Sequence, residues 1–158
     1  MRATDFFHSV LEAARDAERC RMQIESLKLK THGISGGNRE PGTGGGSGDP
    51  RGAWRGIDVY LDKERELEKR RDEDFALIDR ACVVLYGKDQ QTGGLCKIKG
   101  STWADILWWR YCAASKWVEV ADNVGYSVRR AQVIHDEAIA WLDRTGYCSR
   151  IMELGRVA

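Results

Sequence analysis

The chain has 158 residues, 42% of them hydrophobic and 31% charged, with 25 Lys+Arg against 24 Asp+Glu and a formal net charge of +1. That is the size of one ordinary domain or two small ones, and the composition excludes a long disordered acidic or basic chain. No run approaches the roughly 18 apolar residues of a membrane span, and residues 1–10 lack the apolar core of a secretory signal, so a cytoplasmic protein is expected.

Residues 4–30 predict a long helix. Phe6, Val10, Ala13, Ala17, Cys20, Ile24 and Leu27 recur at alternating spacings of four and three, which places them on one stripe. Three of the seven are small, which suits close approach of a second helix. Thr4 is the expected N-cap, Asp5 suits the first turn, and Thr31-His32-Gly33 is the expected stop.

Residues 33–56 hold both prolines, Pro41 and Pro50, and a concentration of glycine that includes Gly44, Gly45 and Gly46. Such a segment buries too little apolar surface to offset its ordering entropy and reads as a mobile loop. A phosphate-binding loop needs Lys after its second Gly, whereas Asp49 follows Gly48, and no strand precedes it.

Residues 57–86 predict a second long helix. Apolar residues gather at its ends, with Ile57, Tyr60, Leu61 and Leu67 before and Phe75, Ile78, Ala81, Cys82 and Leu85 after the charged middle. Residues 58–81 carry a net charge of −3, and Glu66 and Arg70 form a favourable pair one turn apart. The charged middle reads as the solvated face of a coiled coil. The two helices and their loop, residues 1–86, predict a helical hairpin that dimerises or binds a partner.

Residues 87–100 are turn-rich and basic, a linker that offers a wing, a phosphate contact or only a longer loop. Ser101 and Thr102 are candidate caps for a helix through Trp103, Ile106, Leu107 and Tyr111. Two helices over 117–123 and 128–142 follow. No segment shows strand-like alternation, so the fold class is all-α: an N-terminal long-helix hairpin or coiled coil plus a C-terminal helix-turn-helix domain over 101–158.

The five cysteines are widely spaced and form no C-x-x-C, and the three histidines are scattered. Free, mostly buried thiols are expected, with no zinc and no cofactor. Trp103, Trp117 and Trp141 read as core. Trp108 and Trp109 are adjacent, and one of them is expected in an interface.

The stretch 117–142, WVEVADNVGYSVRRAQVIHDEAIAWL, carries the functional signal. A helix-turn-helix needs a small residue where its helices pack and then a residue that tolerates positive φ. Ala121 and Gly125 meet those needs. Val120, Val124, Tyr126, Ala131 and Ile134 fall at the inward positions around them, and Ser127 caps the second helix.

The stretch ILWWRYCAASKWVEVADNVGYSVRRAQVIHDEAIAWL resembles region 4 of sigma-70-type factors. The matching residues are Leu107, Arg110 and Tyr111, then Trp117, Glu119, Val120, Ala121, Val124, Gly125, Tyr126 and Ser127, then Ile134, Ala138, Trp141 and Leu142. The layout of the whole chain, with Ile24-Glu25-Ser26-Leu27 before the glycine-rich loop, resembles small phage and prophage regulators of the ArpU/RinA group. Sigma regions 2 and 3 have no counterpart here, and Lys116 stands where a capping residue is expected.

The resemblance implies a phage or prophage transcriptional regulator that binds promoter DNA, with RNA polymerase as a further partner. The second helix would enter the major groove by its N-terminal end. Val128, Arg129, Arg130, Gln132, Val133 and His135 would face outward with Ser127 at their head, and Arg110 and Lys116 would meet phosphates. Residues 101–158 carry no net charge, which predicts modest affinity from this domain alone; a homodimer or a tether to polymerase would raise it. The alternatives are an adaptor that contacts proteins without reading DNA, and a DNA-packaging protein like a small terminase subunit. No arrangement of carboxylates, Cys/His or Ser/His points to an enzyme.

Overall fold

The computed structural model describes residues 1–35 and 50–157. Among these every regular element is a helix: α1 Ala3–Ser35, α2 Pro50–Tyr86, α3 Gly94–Lys99, α4 Ser101–Leu107, a π-helical segment Trp108–Cys112, α5 Trp117–Val124, α6 Val128–Thr145 and α7 Tyr147–Val157. None is long and apolar enough to cross a membrane. The central part of the expected mobile loop, residues 36–49, lies outside the described residues. Its flanks are helical: α1 runs past Gly33, and α2 starts at Pro50, where a missing N–H costs a helix nothing.

The chain divides into two compact units, residues 17–73 and residues 1–16 with 74–158. This division cuts through both long helices, so the boundary near residue 86 expected from composition does not coincide with it.

In the first unit the two helical segments run antiparallel. Cys20 and Ile24 bury against Leu67, Lys28 Nζ lies 3.7 Å from Glu64, and the Lys30 ammonium sits 6.0 Å from the Tyr60 ring. The stripe of α1 is buried from Phe6 to Ile24, with Leu27 half-buried, as its spacing requires. The charged middle of α2 carries exposed intrahelical pairs, Lys63 with Glu66 and Asp62 with Arg65. Such pairs contribute a few tenths of a kcal/mol each at most.

The second unit holds a core drawn from both ends of the chain. Phe6, Phe7, Val10 and Leu11 of α1 meet Ala81, Val84 and Leu85 of α2, Leu95 of α3, Ala104 and Leu107 of α4, Tyr111, Ala138 and Leu142 of α6 and Cys148 of α7. Thr4 does not cap α1, because the helix begins at Ala3. The Ala3 N–H donates instead to Asp143 Oδ1 on α6, and the Thr4 hydroxyl donates to Asp143 Oδ2 at 3.3 Å.

Residues 87–100 are not a plain linker. The Gly93 N–H closes onto the Tyr86 carbonyl at 2.7 Å, and a Cβ at Gly94 would stand 2.7 Å from the Val84 carbonyl oxygen. Glycine is required there for close backbone approach. Asp89 orders the turn by accepting from Thr92 Oγ1 at 2.6 Å and from the Gln91 and Thr92 amides. Those bonds hold its carboxyl down at about 2. Leu95 then plants α3 in the core. Neither Ser101 nor Thr102 caps α4; Gly100 occupies that position.

Trp108 and Trp109 take different partners. Trp108 packs on the main core, while Trp109 packs on a second cluster of Ile106, Val120, Ala121, Ala131 and Ile134. The π-helical turn, with the Ala113 N–H donating to the Trp108 carbonyl at 3.0 Å, carries these residues between the two clusters. Both indoles are thus half-buried, each against a different cluster. Trp103, Trp117 and Trp141 are half-buried against the cores, as expected.

Candidate functional site

The site is built on α5 and α6. Lys116 precedes α5 with extended backbone, and its N–H donates to Glu119 Oε2 at 3.0 Å. Glu119 therefore satisfies the Lys116 amide itself, the reciprocal half of a capping box, while the Lys116 side chain, which carries only donors, caps no amide of the first turn. The helix ends where Gly125 and Tyr126 both donate to the Ala121 carbonyl, at 2.9 and 3.1 Å. Gly125 has φ 76°, while nothing lies within 4 Å of a Cβ placed on it. The turn demands glycine for its backbone angle and not for space.

Ser127 opens α6, and its Oγ accepts from the Arg130 N–H at 3.2 Å. That hydroxyl is engaged as a cap. Val120, Ala121, Ala131 and Ile134 are buried and Val124 is half-buried, as their spacing predicts. Tyr126 is a correction: it is 43% exposed, because the left-handed glycine turns the chain outward before α6 begins.

The expected contact residues divide. Arg129, Arg130, Gln132 and Val133 are exposed along the first turns of α6, with Ser127 exposed at its head and Lys116 exposed before α5. Val128 is turned inward against the second cluster. Arg110 is committed inside the fold: Nη1 donates to the Ser115 carbonyl at 2.9 Å, and the guanidinium lies 5.2 Å from the Trp117 ring centre. It braces the tight turn in which Ala114 adopts φ 52°.

His135 is also inside. Its side chain is 15% exposed, Nε2 lies 2.7 Å from the Tyr111 hydroxyl, and Nδ1 lies 2.9 Å from Asp136 Oδ1. The Trp117 ring meets it edge-on at 5.1 Å. Burial pushes its pKa down, against the pull of Asp136. Burial likewise raises the Tyr111 phenol. The neutral imidazole with Nδ1–H toward Asp136 and Nε2 accepting from Tyr111 satisfies every group. His135 thus ties α6 to the π-helical segment.

Sequence reasoning missed α7 and the contacts that cross the unit. The Tyr86 hydroxyl donates to Asp105, and burial followed by that bond raises its pKa. Lys99 lies over Trp103 and Trp141, at 5.4 and 5.3 Å, beside an open cleft of about 300 Å³ that Glu137, Ala140 and Arg144 also line. No local spacing announces pairs that meet only through the tertiary fold. None of the five cysteines is in a disulfide.

No family model, curated protein or solved structure matches this chain.

Proposed function

We propose that this protein is a phage or prophage transcriptional regulator that binds double-stranded promoter DNA through α5 and α6, used as a sigma-region-4-like helix-turn-helix. The observation that carries the reading is the split of α6: Arg129, Arg130, Gln132 and Val133 stay exposed while Ala131 and Ile134 are buried on its inward face. Two guanidinium forks and an amide at the head of an exposed helix suit guanine, adenine and phosphate. Lys116 supplies a further phosphate contact. On this reading the protein works in the cytoplasm of the bacterial host, as a homodimer through its N-terminal helices and with RNA polymerase as partner.

The test is binding of the full chain to a pool of random-sequence duplexes over a salt series, beside Arg129→Ala/Arg130→Ala. The expected result is enrichment of one sequence by the wild-type chain. Each guanidinium that reads a base should weaken binding about 5–150-fold when it is removed, and each that meets a phosphate should leave a shallower salt slope. Binding that is absent at every salt concentration, or unchanged in the variant, overturns the reading.

A protein adaptor is the second reading. It is favoured by the exposed apolar side chains Val118, Tyr126 and Val133 and by the zero net charge of residues 101–158. Co-purification with RNA polymerase that survives Arg129→Ala/Arg130→Ala, without DNA binding, is its signature. A small-terminase-like role predicts a large ring, which a measured mass detects.

A further inference from the structure

The cleft of about 300 Å³ joins three elements: Lys99 ends α3, Trp103 lies in the first turn of α4, and Glu137, Ala140, Trp141 and Arg144 lie on the second half of α6. The Trp103 and Trp141 rings stand nearly edge to face, 6.5 Å apart at 76°. The Lys99 ammonium sits over both, at 5.4 and 5.3 Å. A ring face attracts a cation but brings neither a net charge nor a lone-pair acceptor. The ammonium is thus held in place with its charge uncancelled and its N–H groups unspent.

Among the described residues none of Lys99, Glu137 and Arg144 takes part in an ion pair. Glu137 and Arg144 are seven positions apart on one helix, about 10 Å of rise, too far to pair directly. Ala140 and Trp141 form the wall between them. Two cations and one carboxylate therefore line the cleft, a net charge of +1, beside two half-buried indoles.

We propose that this cleft binds a small planar aromatic acid, singly negative, with an amino or hydroxyl group on its ring. The carboxylate lies between the Lys99 ammonium and the Arg144 guanidinium, whose fork can take both oxygens. The ring rests on Ala140 and against the Trp141 indole. The ring substituent donates to Glu137. One negative charge answers the net charge of the wall. The volume is at the lower end for ligand sites and suits a single substituted ring. A bare inorganic anion leaves the indoles and Glu137 unused, and a doubly charged phosphate monoester meets repulsion from Glu137. The site is built from α3, α4 and α6 alone and holds whether or not the chain reads DNA.

The test titrates the full-length protein with 3-aminobenzoate, benzoate, benzylamine and inorganic phosphate. The indole N–H signals of Trp103 and Trp141 are followed by NMR and assigned with Trp103→Phe and Trp141→Phe. The expected result is saturable movement of these two signals with 3-aminobenzoate, while that of Trp117 stays in place. Benzoate should bind more weakly, and benzylamine and phosphate more weakly still. Lys99→Gln and Arg144→Gln should each weaken 3-aminobenzoate by about tenfold. Glu137→Ala should remove the preference for 3-aminobenzoate over benzoate. All three side chains are exposed, so the variants should keep their helical circular dichroism. If one misfolds, the order of the four probes on the wild-type chain decides. No saturable movement at millimolar 3-aminobenzoate, benzylamine or phosphate binding as tightly as the acid, or movement of Trp117 in place of Trp103 and Trp141 each overturns the proposal.

Discussion

The backbone N–H of Ala3 donates to the carboxylate of Asp143, 140 positions further along the chain. The first turn of a helix exposes unpaired N–H groups and a partial positive charge, and both favour an anion. Most helices take that partner from their own sequence; α1 takes it from α6. Asp143→Ala removes the partner while α1 stays in place. The expected loss is about 1 kcal/mol, within the ~0.5–2 kcal/mol of capping substitutions, and a melting temperature lower by roughly 2–4 °C. Urea denaturation of the two proteins checks it, and an unchanged midpoint contradicts the capping role.

His135 predicts a pH dependence. Its folded pKa is depressed by burial, with Arg110 and His8 also opposing charge and only Asp136 favouring it. Tyr111 and Trp117 complete its surroundings and bring no opposite charge. Below its ordinary pKa the unfolded chain takes up a proton that the folded chain refuses, so stability is present above that pH and falls as pH drops. One proton sets a limiting slope of about 1.4 kcal/mol per pH unit. Denaturation between pH 7.5 and 5.5 should show this decline, and His135→Gln should flatten it even if its stability at pH 7.5 is lower. Equal slopes rule the histidine out as the cause.

Gly125→Ala should destabilise the α5–α6 turn by about 1–2 kcal/mol. The cost comes wholly from φ 76°, since the site has room for a methyl group. Asn tolerates that region better, so Gly125→Asn should lose less. Thermal melts of the three proteins test the order; a loss for alanine no greater than for asparagine would point to crowding instead.

Residues 101–158 should not fold when expressed alone. Their partners Phe6, Phe7, Val84, Leu85 and Leu95 are each fully buried or nearly so, and removing them exposes the facing surfaces of Leu107, Ala138 and Leu142. Circular dichroism and amide dispersion in the NMR spectrum of that fragment are the measurement. A cooperatively folded fragment would show that the second cluster suffices.

How far these features were legible depends on their range. The stripe on α1 was legible because every member is fixed by local helix geometry. The α5–α6 turn was legible because its angle and cap demand particular residues within a few positions. The inward placement of Val128 and His135 was present in the spacing: the two lie seven apart, and His135 is four from Ala131 and three from Ala138, on the flank of the buried stripe. The π-helical segment was not legible, since WWRYC has no signature that separates a five-residue turn from a four-residue one. Nor was the pairing of Asp143 with Ala3, which meet only after the chain has closed.

That closure sets an order on synthesis. Phe6, Phe7 and Val10 emerge from the ribosome well before their partners Ala138, Leu142 and Cys148 are made. Translation proceeds at about 5–20 residues per second, so an apolar helix face stays without its partners for several seconds at least. Over that interval the nascent chain presents a surface suited to a chaperone or to the same stripe on a neighbouring nascent chain. The joining of these two distant segments, and not the formation of any single helix, completes the shared core.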